Sequence, residues 1–225
     1  MFSILPKQSA TYLANGIGSI LFADIHVDLL KPGFGYFNTN EVTEELRNSG
    51  YDYIIGAVNK ETVDASTLNM ALPLRTVRLY HLQEDGSELN GPKLESVRGK
   101  YIFIEADNDI LSSDLEDAVA FLVNKNLIPV LTKAETYSCL QDNYRNIHRI
   151  STLGCLLQTD MNSLLGTNGA EAKHLAQKLL KDEDVSFIGS GARNADEQMM
   201  INELFLSKRL QKLLSSSQIK NKEIL

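Results

Sequence analysis

The sequence predicts an α/β protein of a single domain, a closed and distorted (β/α)7 TIM-type barrel. Three observations lead there. Seven short apolar runs alternate with polar, helix-patterned stretches, which implies βα units around a parallel sheet. Seven such units overfill a small open sheet and suit a closed one. The 225 residues carry no internal repeat and no low-complexity linker, so nothing marks a domain boundary.

The elements follow in order. The first apolar run covers 19–25. A Gly/Pro loop at 31–35 comes next, and then a helix over 39–48 that opens on Thr39-Asn40-Glu41 as a capped start. Runs at 53–58 and 76–82 are the second and third strands, with a turn over 86–91. The fourth run, 100–105, leads to a helix that starts at Ser112–Asp114 and continues to about 126, carrying Leu115, Val119, Phe121, Leu122 and Val123. The fifth run is 128–131, followed by a helix through 143–152. The sixth is 156–160. It precedes an amphipathic helix over 168–181 that places Ala172, Leu175, Ala176, Leu179 and Leu180 on one side. The seventh is 185–188, and one long helix over 195–214 closes the fold. The expected division is an N-terminal segment 1–18, the barrel over 19–214, and a polar tail 215–225 that frays.

Composition narrows the function classes. Hydrophobic residues make up 43% and charged residues 23%, as in ordinary globular proteins. A net charge of −7 without a basic run argues against nucleic acid as a partner. No apolar run approaches the ~18 residues of a membrane span, and the opening MFSILPKQSATYLANG lacks the long apolar core of a secretory signal. Cys139 and Cys155 form neither a disulfide framework nor a zinc pattern, so two reduced thiols in a cytoplasmic protein are expected.

In a βα barrel the functional side chains stand at the C-terminal ends of the strands. Here those positions hold Asp24-Ile25-His26-Val27-Asp28, Val58-Asn59, Leu79-Tyr80, Glu105-Ala106-Asp107, Lys133-Ala134-Glu135-Thr136, Gln158 with Asp160, and Ser190 through Asn194. The set mixes acids (Asp28, Glu105) with cations (Lys133, Arg193) and one histidine (His26). Transition-metal sites need imidazoles and carboxylates that converge, and cations in the same pocket oppose that. Gly189-Ser190-Gly191 lacks the spacing of a phosphate-binding loop and reads as a tight turn. Ser190 is not in a nucleophile elbow. His81, His148 and His174 have no partner at metal or triad spacing and read as surface or partly packed residues.

These residues carry a family likeness. The chain resembles the PHP (polymerase and histidinol phosphatase) superfamily, most of all the bacterial PHP-type tyrosine phosphatases of capsular and exopolysaccharide assembly. Asp24-Ile25-His26-Val27-Asp28 resembles the opening D-I-H-x-H, and Gly99 through Glu105 a segment G-K-Y-(apolar)3-E. Pro129 through Tyr137 is similar to P-V-L-A-H-P-E-R-Y. Gly154-Cys155-Leu156-Leu157-Gln158 and Ser163-Leu164-Leu165-Gly166 match G-C-x-x-Q and S-L-x-G. Phe187 through Arg193 matches the last strand and its D-x-H. The series runs in order from about 20 to 205.

The resemblance implies a PHP-like barrel with a cluster of divalent ions that would generate a hydroxide nucleophile. The departures are many. His26 and Glu105 keep ligand types, while Asp28 and Asn59 stand where the family has histidines. Gly35 and Tyr36 replace loop acids, and Leu79 replaces a bridging glutamate. Lys133 replaces a histidine, Thr136 an arginine, and Gly191 and Arg193 the final Asp and His. His26, Asp28 and Glu105 remain as weak metal candidates, too few for a cluster. The expectation is therefore a vestigial pocket (His26, Asp28, Asn59, Glu105, Lys133, Arg193) with no cofactor, in which Lys133 and Arg193 pair with Asp28 and Glu105 or bind an anion. The protein would be a catalytically inactive homologue that binds or regulates in polysaccharide assembly. The resemblance suggests a tyrosine kinase or its phosphotyrosine tail as partner. The alternative is a residual phosphoesterase, a protein-tyrosine phosphatase dependent on manganese or another divalent metal.

Overall fold

Seven parallel strands, each hydrogen-bonded to the next in sequence, curl into a nearly closed barrel wrapped by helices. The computed structural model describes residues 23–26, 28–30, 36–58, 64, 70–82, 89, 94–216 and 219–225. The strands are β1 (Ala23–His26), β2 (Tyr53–Val58), β3 (Leu74–Leu82), β4 (Tyr101–Ala106), β5 (Ile128–Leu131), β6 (Leu156–Asp160) and β7 (Val185–Gly189). The helices among the described residues are α1 (Tyr36–Asn48), α2 (Ser112–Asn124), α3 (Ser138–Asp142), α4 (Arg145–Leu153), α5 (Asn162–Leu165), α6 (Ala170–Lys181), α7 (Ala195–Phe205) and α8 (Lys208–Ser216).

Period-two alternation sorts the strand residues into two cores. Ala23, Ile25, Ile55, Ala57, Val77, Leu79, Tyr101, Phe103, Val130 and Phe187 fill the barrel interior, with Tyr101 edge-on to Phe187 at 5.7 Å. Their neighbours Ile54, Tyr80, Ile102, Ile104, Leu131, Leu157 and Ile188 face outward and meet the apolar stripes of the helices. In α6 that stripe is the expected Ala172, Leu175, Ala176, Leu179 and Leu180, with Glu171 in the first turn and Lys178 and Lys181 in the last, as the helix dipole favours.

Several boundaries differ from the sequence reading. The helix expected over 39–48 begins at Tyr36, because Thr39 is buried inside it rather than capping it. The helix at Ser112 has Leu111 at its N-cap with no side-chain cap, and Ser112 Oγ turns to Glu116 instead. The helix expected through 143–152 is two helices, α3 and α4. The long final helix is also two, broken at Leu206–Ser207. The segment 1–18 and the turn at 86–91, apart from Leu89, lie outside the described residues.

The expected frayed tail is the largest difference. Residues Asn221–Ile224 form a 3-10 turn against the foot of the barrel, and Asn221 and Ile224 are fully buried. Its polar composition misled because the Asn221 amide is consumed by backbone partners rather than by water.

Candidate functional site

The strand ends gather the predicted pocket in part. Strand β5 stops at Leu131. Thr132 continues its course by donating from both its backbone N–H and its hydroxyl to the Ile104 carbonyl, at 2.9 and 3.1 Å. Lys133 then turns into the left-handed region (φ 49°, ψ 43°), which is uncommon for a residue with a side chain. Its N–H donates to Gln158 Oε1 at 2.7 Å, and Thr136 Oγ1 donates to its carbonyl at 2.8 Å. This turn sends the lysine towards Asp28 beyond the end of β1. Lys133 Nζ lies 3.2 and 3.4 Å from the two Asp28 carboxylate oxygens, with both side chains mostly buried.

Arg193 has a different partner from the one expected. Its guanidinium forks onto Glu197, with Nε to Oε1 at 3.0 Å and Nη2 to Oε1 at 2.7 Å, and its backbone N–H donates to Glu197 Oε2 at 2.8 Å. Asn194 caps α7 by accepting from the Glu197 N–H at 2.9 Å and so fixes that glutamate in the first turn. Arg193 lies just before α7 and Glu197 in its first turn, so this partner four residues on is reached with less ordering than Glu105 across the barrel. The Glu197 hydrogen bonds, and then the charges of Glu197 and Asp28, raise the Arg193 pKa, so Arg193 and Asp28 stand within electrostatic reach. Glu105 is buried near the end of β4, and His26 closes β1. Asn59 and Gly35 lie outside the described residues. Leu79 is fully buried among the interior aliphatic and aromatic side chains.

Beneath this mouth lies a buried polar layer that sequence reasoning did not single out. Gln158, which accepts from Lys133 N–H, donates through Nε2 to Asp160 Oδ1 at 2.6 Å. The Asp160 N–H donates to Glu135 Oε1 at 3.1 Å, and Ser163 Oγ donates to the same oxygen at 2.7 Å. All four side chains are at most 2% exposed. Burial, and then the negative charge of Asp160, push the Glu135 pKa from 4.5 up to about 8. The sequence placed Glu135, Gln158 and Asp160 at strand ends, but spacing alone does not show that they face one another.

The remaining residues keep modest roles. His81 Nε2 sits 3.5 Å from Asp107 Oδ1 at the surface, and His148 and His174 are exposed. Gly189-Ser190-Gly191 is a tight turn, with Gly191 at φ 63°. Both cysteines are free, and burial pushes the Cys155 thiol up to about 12. Among the described residues no helix is long and apolar enough to cross a membrane.

Fold and site define an α/β barrel of the PHP type, with its polar residues gathered at the strand ends. The family's sequence profile matches residues 37–214, and the chain belongs to this family, CpsB/CapC of capsular polysaccharide synthesis. The match begins after Asp24–Asp28. No curated protein matches the sequence. A solved structure, from work on YwqE of Bacillus subtilis and CpsB of Streptococcus pneumoniae, aligns with a TM-score of 0.65 at 20% identity. The alignment covers 88% of this chain and 96% of the other. Those two proteins are described as metal-dependent tyrosine phosphatases.

Proposed function

We propose that this protein is a non-catalytic member of its family that acts by binding in capsular or exopolysaccharide assembly, with a tyrosine kinase or its phosphorylated tail as partner. The observation that carries the reading is the Lys133 ammonium seated on the Asp28 carboxylate. A side chain that in an active relative would help hold a metal is here a fixed cation that neutralises a remaining acid.

The metal ions of the related phosphatases do not fit the residues present. Leu79 offers no donor atom, Lys133 occupies Asp28, and Arg193 adds a second positive charge nearby. Among the described residues no three of His, Cys, Asp and Glu are grouped to hold a metal ion. Divalent sites need several converging anionic or imidazole ligands, and this donor set is short of them. An anion at Lys133 and Arg193 would have to displace Asp28 and compete with Glu197, so a phosphorylated ligand would bind by exchange of ion-pair partners.

The test is metal content by mass spectrometry on protein purified without chelator, with phosphotyrosine-peptide hydrolysis assayed in added manganese. The expected result is substoichiometric metal and no turnover above a protein-free control. Stoichiometric manganese, iron or zinc with turnover would overturn the reading and establish a residual phosphoesterase using His26, Asp28 and Glu105. Titration with a kinase-tail peptide, phosphorylated and unphosphorylated, tests the binding role. Asp28→Asn is expected to strengthen binding of the phosphorylated form by freeing Lys133, and unchanged affinity would remove Lys133 from the site.

A further inference from the structure

The barrel has a seam. Six neighbouring strand pairs are joined by parallel ladders, but among the described residues no ladder joins β7 to β1. Two strand edges that face each other without a ladder leave buried N–H and C=O groups needing other partners. At the seam those partners include side chains and the backbone of residues 219–225.

Near the head of the seam, Asp24 accepts from the Ser190 N–H at 2.6 Å and from the Ser190 hydroxyl at 2.8 Å, all within the buried interior. At the foot, the Asn221 amide spans the gap. Its Nδ2 donates to the Ala23 carbonyl of β1 and to the Ile188 carbonyl of β7, each at 2.7 Å. Its Oδ1 accepts from the Ile188 N–H at 2.9 Å. One side chain thus satisfies three backbone groups on two strands, much as a residue of an intervening strand would.

The residues around Asn221 extend the same attachment. Lys220 N–H donates to the Ser186 carbonyl of β7 at 2.7 Å. Ile224 is fully buried and belongs to the interior cluster with Ala23, Tyr101 and Phe187. Glu223 accepts from the Tyr101 hydroxyl. The Leu225 backbone oxygen accepts from Arg75 at 2.7 Å and from Arg98. The segment is therefore tied to β1, β7, β4, β3 and the β3–β4 connection.

We propose that residues 219–225 are the closing stave of the barrel, a non-strand segment that replaces the β7–β1 ladder and sets the position of β1. Strand β1 has four residues and, among the described residues, a ladder on one side only, with β2. It also carries Asp24 and His26 and leads into Asp28. The stave thus acts on the first motif from the opposite end of the barrel, as a positioning element.

Hydrogen–deuterium exchange on the full-length Asn221→Ala protein tests this. Loss of the three bonds is expected to speed exchange at Ala23–His26 and Val185–Gly189 by about tenfold or more, while β3, β4 and β5 keep their protection. If that variant does not fold, Glu223→Ala removes the Tyr101 bond and the ion pair with Lys100 at a half-exposed position, and leaves the Asn221 bonds in place. It is expected to give the same two-strand pattern at smaller amplitude. Acceleration spread evenly over all seven strands would mean that the segment supplies only general stability, and would overturn the proposal. Unchanged exchange at β1 and β7 would overturn it as well.

Discussion

Gly189→Ala is expected to destabilise the protein by about 3 kcal/mol or more. A methyl group built at Gly189 falls 2.1 Å from the Ile25 carbonyl oxygen and 2.7 Å from both Asp160 Oδ1 and Gln158 Nε2. The first neighbour is backbone of β1, so it cannot swing away as a flexible side chain would. The other two belong to the buried hydrogen-bonded chain under Lys133. Relief requires β7 and β1 to part at the seam, where no ladder joins them among the described residues. For a chain of this length the loss corresponds to a fall of about 10 °C in melting temperature, read by circular dichroism. Gly99→Ala is the control. Its φ of +70° imposes the left-handed strain, but nothing lies within 4 Å of the added carbon. The expected cost there is about 1 kcal/mol. Equal losses at the two positions would refute the close approach of β7 to β1.

Stability is expected to fall as pH rises from about 5 to 8, with Glu135 as a principal cause. The unfolded carboxyl loses its proton near the ordinary 4.5, whereas the buried one keeps it to about 8. Between those values the folded state holds the extra proton, so raising the pH favours unfolding. Below the window both states are protonated, and above it both are ionised, so this group's contribution to the slope vanishes at each end. The slope is about 1 kcal/mol per pH unit within the window. Glu135→Gln keeps the shape and an acceptor for Ser163 and the Asp160 N–H, but cannot ionise. Urea unfolding at several pH values should show the variant close to the native protein near pH 5 and more stable by about 2 kcal/mol or more at pH 8. Parallel curves for the two proteins would show that Glu135 carries no proton in the fold.

The sequence was most readable where periodicity is enforced by two-sided burial. Strands β2, β5 and β6 fall on the residues expected, because Ile54, Val130 and Leu157 have no solvent alternative. Helix ends were less readable. Leu206–Ser207 interrupts a continuous apolar pattern without a glycine or proline, so nothing local announces the break. Of the site, the lysine that meets Asp28 was visible as a charge substitution in a recognisable motif. The choice of Glu197 by Arg193 was not, since it depends on an N-cap fixing a first-turn glutamate. The Glu135–Asp160 layer and the Asn221 bridge were hidden for a common reason. Each is a polar residue whose partners are far away in sequence, and polarity in a single chain reads as exposure.

A ring fastened along one line has a direction of weakness. At the foot of the seam, the Asn221 amide bonds to the Ala23 carbonyl of β1. Tension that draws β1 away from β7 and residues 219–225 would fall on a few side-chain bonds, loaded one after another as in unzipping. The same tension applied across β3 and β5 would meet parallel ladders loaded together in shear. A load that pulls β1 away from the 219–225 segment therefore meets the barrel at the place where it opens most readily.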